Sequence, residues 1–102
     1  MDMKQMMRQA QKMQRDLAKA QEELAGMTFE GTAGGGMVKA TCMGDMSLTD
    51  ITIDPEAVDP EDVEMLQDMI LAAVNEAMRA AATANDQRMG ALTGGMNIPG
   101  FM

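Results

Sequence analysis

The chain has no histidine, no tryptophan and no tyrosine, and it carries a single cysteine. Without imidazole it lacks the commonest general base and metal ligand, and no Ser-His or Cys-His nucleophile pair can be assembled. One thiol cannot build an intrachain disulfide framework, which fits a reducing, cytoplasmic setting. That thiol, Cys42, sits between Thr41 and Met43 with no neighbouring base and reads as a small buried hydrophobe. The only aromatics are two Phe, so little is available to stack on unpaired bases. No apolar run approaches the ~20 residues that span a bilayer. The N-terminal stretch is broken too often by charge and amide to be a secretory signal. Neither a membrane nor a small-molecule substrate is expected as a partner.

Two further chemistries fail on spacing. The acids between Asp45 and Asp68 never alternate around a central glycine as a calcium loop requires, and no metal or cofactor is expected. Gly34-Gly35-Gly36-Met37-Val38-Lys39 lacks the Gly-Lys-Ser/Thr that opens a helix in a phosphate-binding loop, and reads as a turn. An enzyme is not expected.

What is present is one small domain of 102 residues, 46% of them hydrophobic. Fifteen residues are methionine, a content that fits a core filled with adaptable thioether side chains. A Met-rich partner-binding surface is the other reading. The formal net charge is −8, but it is unevenly spread. Residues 1–26 hold five basic and four acidic groups, and residues 27–102 hold three basic and twelve acidic ones.

The periodicity predicts an α+β fold in the order α-β-β-β-α. A first helix is expected over residues 1–26, with Asp2 as its N-cap and Gly26 as a left-handed stop. A three-stranded antiparallel meander follows over 27–53, its strands at Met27–Ala33, Met37–Met43 and Met46–Ile53. The broken alternation from Leu48 to Ile51 marks a bulge or a change of face. Asp59-Pro60 signals the start of a second helix over 59–89, with an inward stripe of Val63, Leu66, Ile70, Ala73, Val74, Ala77, Ala81 and Ala84. Residues 90–102, rich in glycine, are expected to be irregular.

The first helix has two opposed faces. Met3, Met6, Ala10, Met13, Leu17, Ala20, Leu24 and Met27 recur at alternating spacings of three and four, the seam of a helix lying along another helix. At 100° per residue, Lys4, Arg8, Lys12, Arg15 and Lys19 fall within an arc of about 80° on the other side. A plain solvent face would look similar. However, this row holds five of the chain's eight basic residues. A helix some 35 Å long also outruns a domain this small, and a homodimer built along the seam would cover it. The dimer would present two straight cationic ridges suited to duplex phosphates and nearly indifferent to base sequence.

Four blocks carry a resemblance: Met6-Met-Arg-Gln-Ala-Gln-Lys-Met-Gln14, Glu30-Gly-Thr-Ala-Gly-Gly-Gly-Met-Val-Lys39, Ile53-Asp-Pro55 and Leu92-Thr-Gly-Gly-Met-Asn-Ile-Pro-Gly100. In that order and spacing the chain resembles the YbaB/EbfC family of bacterial nucleoid-associated proteins over essentially its whole length. The resemblance implies a homodimer with helices projecting as tweezer-like arms. It also implies double-stranded DNA as partner, an effect on DNA conformation or on nucleoid organisation and protection, and no cofactor or catalytic activity. Carried onto this sequence, the DNA contacts fall on Lys4, Arg8, Lys12, Arg15 and Lys19, with Arg79 and Arg88 as weaker candidates. The alternative is a protein-interaction or chaperone-like adaptor using Met-rich helical surfaces.

Overall fold

Helix α1 spans Met3–Ala25 and begins where expected, the Asp2 carboxylate accepting from the Lys4 amide at 3.3 Å. The structure is a computed structural model that describes residues 2–93. Three antiparallel strands follow in sheet order β1-β2-β3: β1 Thr28–Ala33, β2 Val38–Met43 and β3 Leu48–Ile53. A single 3₁₀ turn, Pro55–Ala57, leads to the long helix α2, Val63–Thr93. The predicted order α-β-β-β-α is the observed one.

The strands meet through turns of unequal chemistry. Gly34, Gly35 and Gly36 all take positive φ, of 62°, 68° and 92°, which only glycine adopts cheaply, so β1 turns into β2 through three left-handed residues. The β2–β3 turn is longer than Gly44-Asp45 suggested, running from Gly44 to Ser47 with Met46 at φ 69°. The bulge is present: Cys42 pairs with Leu48 and Thr41 with Asp50, which leaves Thr49 as the extra residue. Its hydroxyl donates to the Thr41 carbonyl at 3.2 Å.

Three helix boundaries differ from the sequence reading. Gly26 has φ −85°, a right-handed conformation, so its left-handed freedom is unused; the chain turns as the Met27 amide donates to the Leu24 carbonyl at 3.0 Å. Asp59 does not cap α2. It closes a turn of its own, accepting from the Glu61 amide at 2.9 Å, and Asp62 caps instead by accepting from Met65 at 3.2 Å. At the other end, α2 passes through Gly90 to Thr93, because one exposed glycine costs a helix only about 1 kcal/mol. The expected irregular tail is therefore helical over residues 90–93, and the rest of it, residues 94–102, lies outside the described residues.

The core is built from small side chains. Val38, Ala40 and Cys42 of β2 and Ala73, Ala77 and Ala81 of α2 are fully buried, with Ala57 beside them. At spacings of four, the three alanines make a flat strip that lets α2 ride close to the sheet. Gly31 of β1 makes the approach complete, since a Cβ there would fall on the Ala73 carbonyl and the Ala77 amide. The Cys42 thiol donates to the Ala77 carbonyl at 3.3 Å, and burial pushes its pKa up, with Asp45 adding to the effect. Among the described residues no methionine is fully buried; Met37, Met69 and Met78 pack only at the rim. The expected thioether core is thus a rim, because a helix seated this close leaves no room for long side chains. Val63, at the start of the expected inward stripe, is 52% exposed.

Candidate nucleic-acid interface

α1 is anchored only at its C-terminal end. Ala20 and Leu24 are buried, and the Leu24 carbonyl lies where a Cβ on Gly44 would be, so the helix end is wedged against the β2–β3 turn. Arg88 of α2 forms an ion pair with Glu23 and reaches the Met27 sulfur at 4.0 Å. Ala91 shares a groove with Asp16, Lys19 and Ala20. The two helices therefore run antiparallel, residue 23 beside 88 and residue 20 beside 91. Counting on from there, α2's described end at Thr93 is level with about Leu17. The preceding turns of α1 project past it by roughly 20 Å at 1.5 Å per residue.

The projection sets the shape. The chain measures 70 × 28 × 16 Å with a radius of gyration of 19.7 Å, against about 13 Å for a compact domain of this length. Met3, Met6 and Met7 are 77%, 55% and 59% exposed. The seam is thus buried at Ala20 and Leu24, half-buried at Leu17 and Met13, and open beyond.

All five residues of the cationic row, Lys4, Arg8, Lys12, Arg15 and Lys19, are exposed and lie away from the side of α1 that buries Ala20 and Leu24. Among the described residues none of the five is in an ion pair. From Lys4 to Lys19 they extend over some 22 Å of helix. Of the acids on this helix, Glu23 is taken up by Arg88, so the row's negative neighbours are Asp16 and Glu22. The other basic groups play different parts. Lys39 pairs across the strands with Glu30 at 3.7 Å. Arg88 is committed to holding the helices together. Arg79 is exposed on the opposite side of α2, beside Glu76 and Gln87. The Glu23–Arg88 pair joins residues 65 apart and has no local signal in the sequence.

The acids concentrate elsewhere. Asp62, Glu64 and Asp68 line a shallow cleft of about 530 Å³ beside Gly34 and Met69, with no cation among its lining residues. Among the described residues no group of three or more Cys, Asp or Glu side chains is placed to hold a metal ion. No helix among them is long and apolar enough to cross a membrane. Screening confines the acidic field to about 10 Å at 0.1 M salt, so the projecting turns keep their positive potential.

A projecting helix, with a cationic row free of ion pairs among the described residues, stands on a small α+β body in the order α-β-β-β-α. The chain belongs to the YbaB/EbfC DNA-binding family, whose model matches residues 1–96. It is 58% identical over 100 residues to a nucleoid-associated protein of Pelotomaculum thermopropionicum, covering 98% of this chain and 95% of that one. A nucleoid-associated protein of Chloroflexus aurantiacus is 51% identical over 96 residues, covering 94% and 96%. The fold matches the crystal structure of an uncharacterized protein of Helicobacter pylori with a TM-score of 0.73, at 24% identity and covering 95% and 99% of the two chains.

Proposed function

We propose that this protein binds duplex DNA in the bacterial nucleoid, in the cytoplasm, without catalysis and largely without regard to sequence. The observation that carries the reading is the row Lys4, Arg8, Lys12, Arg15 and Lys19, exposed and without an ion pair among the described residues, its first four members on turns of α1 that project from the body and Lys19 at their base. Each ammonium or guanidinium displaces a condensed counterion from a phosphate, and the released ions drive association. Few side chains on this face suit base reading, so contacts position the protein without specifying a site. Family membership and the relatives named nucleoid-associated proteins support the same reading.

The proposal includes a homodimer. α2 lies over β1 and β2 and barely reaches β3. Ile51 is left 38% exposed, Val63 52% and Leu71 60%. These exposed apolar side chains, together with the open seam of α1, suit a two-fold contact. Such a dimer carries two arms, and the spacing between them governs whether DNA is bent or gripped.

The test is one charge-reversal variant, Arg8→Glu with Lys12→Glu and Arg15→Glu, assayed by gel shift on mixed-sequence duplex. The reading expects at least a hundredfold loss of affinity with thermal stability nearly intact. Undiminished binding would place the contacts elsewhere. A wild-type chain that binds no duplex would favour the adaptor reading, to which the exposed Met3, Met6 and Met7 lend themselves.

A further inference from the structure

Thioether sulfur is a soft donor, suited to Cu(I) and its congener Ag(I) and poorly suited to the hard ions that carboxylates hold. Fifteen methionines make such donors abundant, and at the turn between β1 and β2 three of them gather from two parts of the chain. We propose that Met37, Met65 and Met69 form a binding site for a soft monovalent cation of the Cu(I) class, apart from the cationic row and independent of DNA.

Geometry argues first. Met65 and Met69 stand one turn apart on α2, where residues at i and i+4 share a face, and both line the cleft of about 530 Å³ beside Gly34. Met37 enters from the β1–β2 turn. Its methyl carbon lies 3.6 Å from the point where a Cβ on Gly34 would stand, and the Met69 sulfur lies 2.5 Å from the same point. The missing side chain at Gly34 therefore makes room for the Met69 sulfur next to Met37. With φ at 62°, Gly34 holds a conformation that other residues take only with strain. Three unbranched side chains with rotatable stems can swing their sulfurs onto one ion.

Electrostatics argues second. Asp62, Glu64 and Asp68 rim the same cleft, and no cation is among its lining residues. Among the described residues the carboxylates are not themselves grouped to hold an ion. Their part is to make the cleft negative, which draws a cation in. The other soft donors are worse placed. Met3, Met6 and Met7 share a turn of exposed helix, beside Lys4 and at an N-terminus whose free amides repel positive charge. Cys42 is buried, and its thiol donates to the Ala77 carbonyl.

Methyl NMR on the full chain, with the methionine methyl groups labelled, tests this by titration with silver nitrate in chloride-free buffer. One equivalent of Ag⁺ is expected to shift the methyls of Met37, Met65 and Met69 saturably and to leave those of Met3, Met6 and Met7 in place. Shifts confined to the arm methyls, or spread evenly over the exposed ones, overturn the proposal. Met65→Leu with Met69→Leu, which nearly keeps the volume, should weaken Ag⁺ binding at least tenfold by calorimetry with the melting temperature nearly unchanged. Unchanged affinity overturns it. Asp62→Asn with Glu64→Gln and Asp68→Asn removes only the potential, and should cost no more than about fivefold. A larger loss there than in the methionine pair, or equal occupation of the wild-type cleft by Mg²⁺, marks a carboxylate site and overturns it. Uptake that begins only as the β2 amides lose their exchange protection marks Cys42 as the ligand and overturns it as well.

Discussion

Gly31 is where helix and sheet come closest, and it shows how much of this fold depends on side chains that are small. A methyl group there would collide with backbone atoms at Ala73 and Ala77, which cannot swing aside as a flexible side chain would. Gly31→Ala is therefore expected to destabilise the domain by about 2–3 kcal/mol, read by denaturant unfolding. Gly26→Ala should be nearly neutral in the same assay, since its φ is −85° and an added Cβ would meet only ordinary van der Waals contacts with the Glu22 and Glu23 carbonyls. Asp45 carries a different prediction. The Ser47 hydroxyl donates to its carboxylate, with the Ser47 amide adding a second hydrogen bond, and both hold its pKa below the usual carboxylate value. A carboxyl lowered on folding contributes stability above its unfolded pKa of about 3.9 and loses it as pH falls through the folded value. Asp45→Asn should accordingly flatten the fall in melting temperature below about pH 4, with little change in the slope at neutral pH.

At the scale of elements, α1 and α2 do unequal work. α2 is the packing helix, its Ala73-Ala77-Ala81 strip sealed against β1 and β2. α1 is an attachment, tied down at Ala20, Leu24 and the Glu23–Arg88 pair and free toward Met3. Arg88 is thereby separated from the basic row in role as well as position. Arg88→Ala is expected to leave duplex affinity within about twofold and to lower stability by no more than about 1 kcal/mol, since both partners are partly solvated. A large loss of DNA binding would instead make Arg88 a contact residue. The elements themselves were legible in the sequence because the 3.6-residue period of Met3–Leu24 and the β-branched alternation of β2 and β3 follow directly from burial. Boundaries were less so. Asp59 and Asp62 are both competent caps, and only the packing of α2 on the sheet selects Asp62. The row Lys4 to Lys19 was readable as a face, but that Glu23 is engaged by Arg88 and not by Lys19, four residues before it, rests on a contact 65 residues away in sequence. The methionines misled for a related reason: their number suggested a core, while the core needed alanine and glycine to bring two backbones together.

The whole molecule is long, and its acidic excess lies in residues 27–102, with twelve acidic groups against three basic ones. Its charge partition is a division of space, with Asp62, Glu64 and Asp68 at the start of α2 and the cationic row along α1, mostly on its projecting turns. An acidic body also discourages collapse of the arms onto neighbouring molecules while leaving short-range phosphate contact intact. The exposed Ile51, Val63 and Leu71 lead to a mass prediction. Sedimentation equilibrium should give twice the 11.0 kDa of the chain, and Leu71→Asp with Ile51→Asp should return it to one copy. A wild-type mass of one copy would remove the dimer. The two arms of that dimer carry up to ten basic groups, five from each row. Full engagement would give a log–log dependence of affinity on salt with a slope near about −9, and partial engagement a proportionately shallower one. Phosphate contact through the arms is therefore tested by duplex affinity across a salt series, with mixed-sequence competitor present. A slope between about −4 and −9 is expected, collapsing when Arg8, Lys12 and Arg15 are changed to Glu. Affinity that stays flat from low to physiological salt would contradict it.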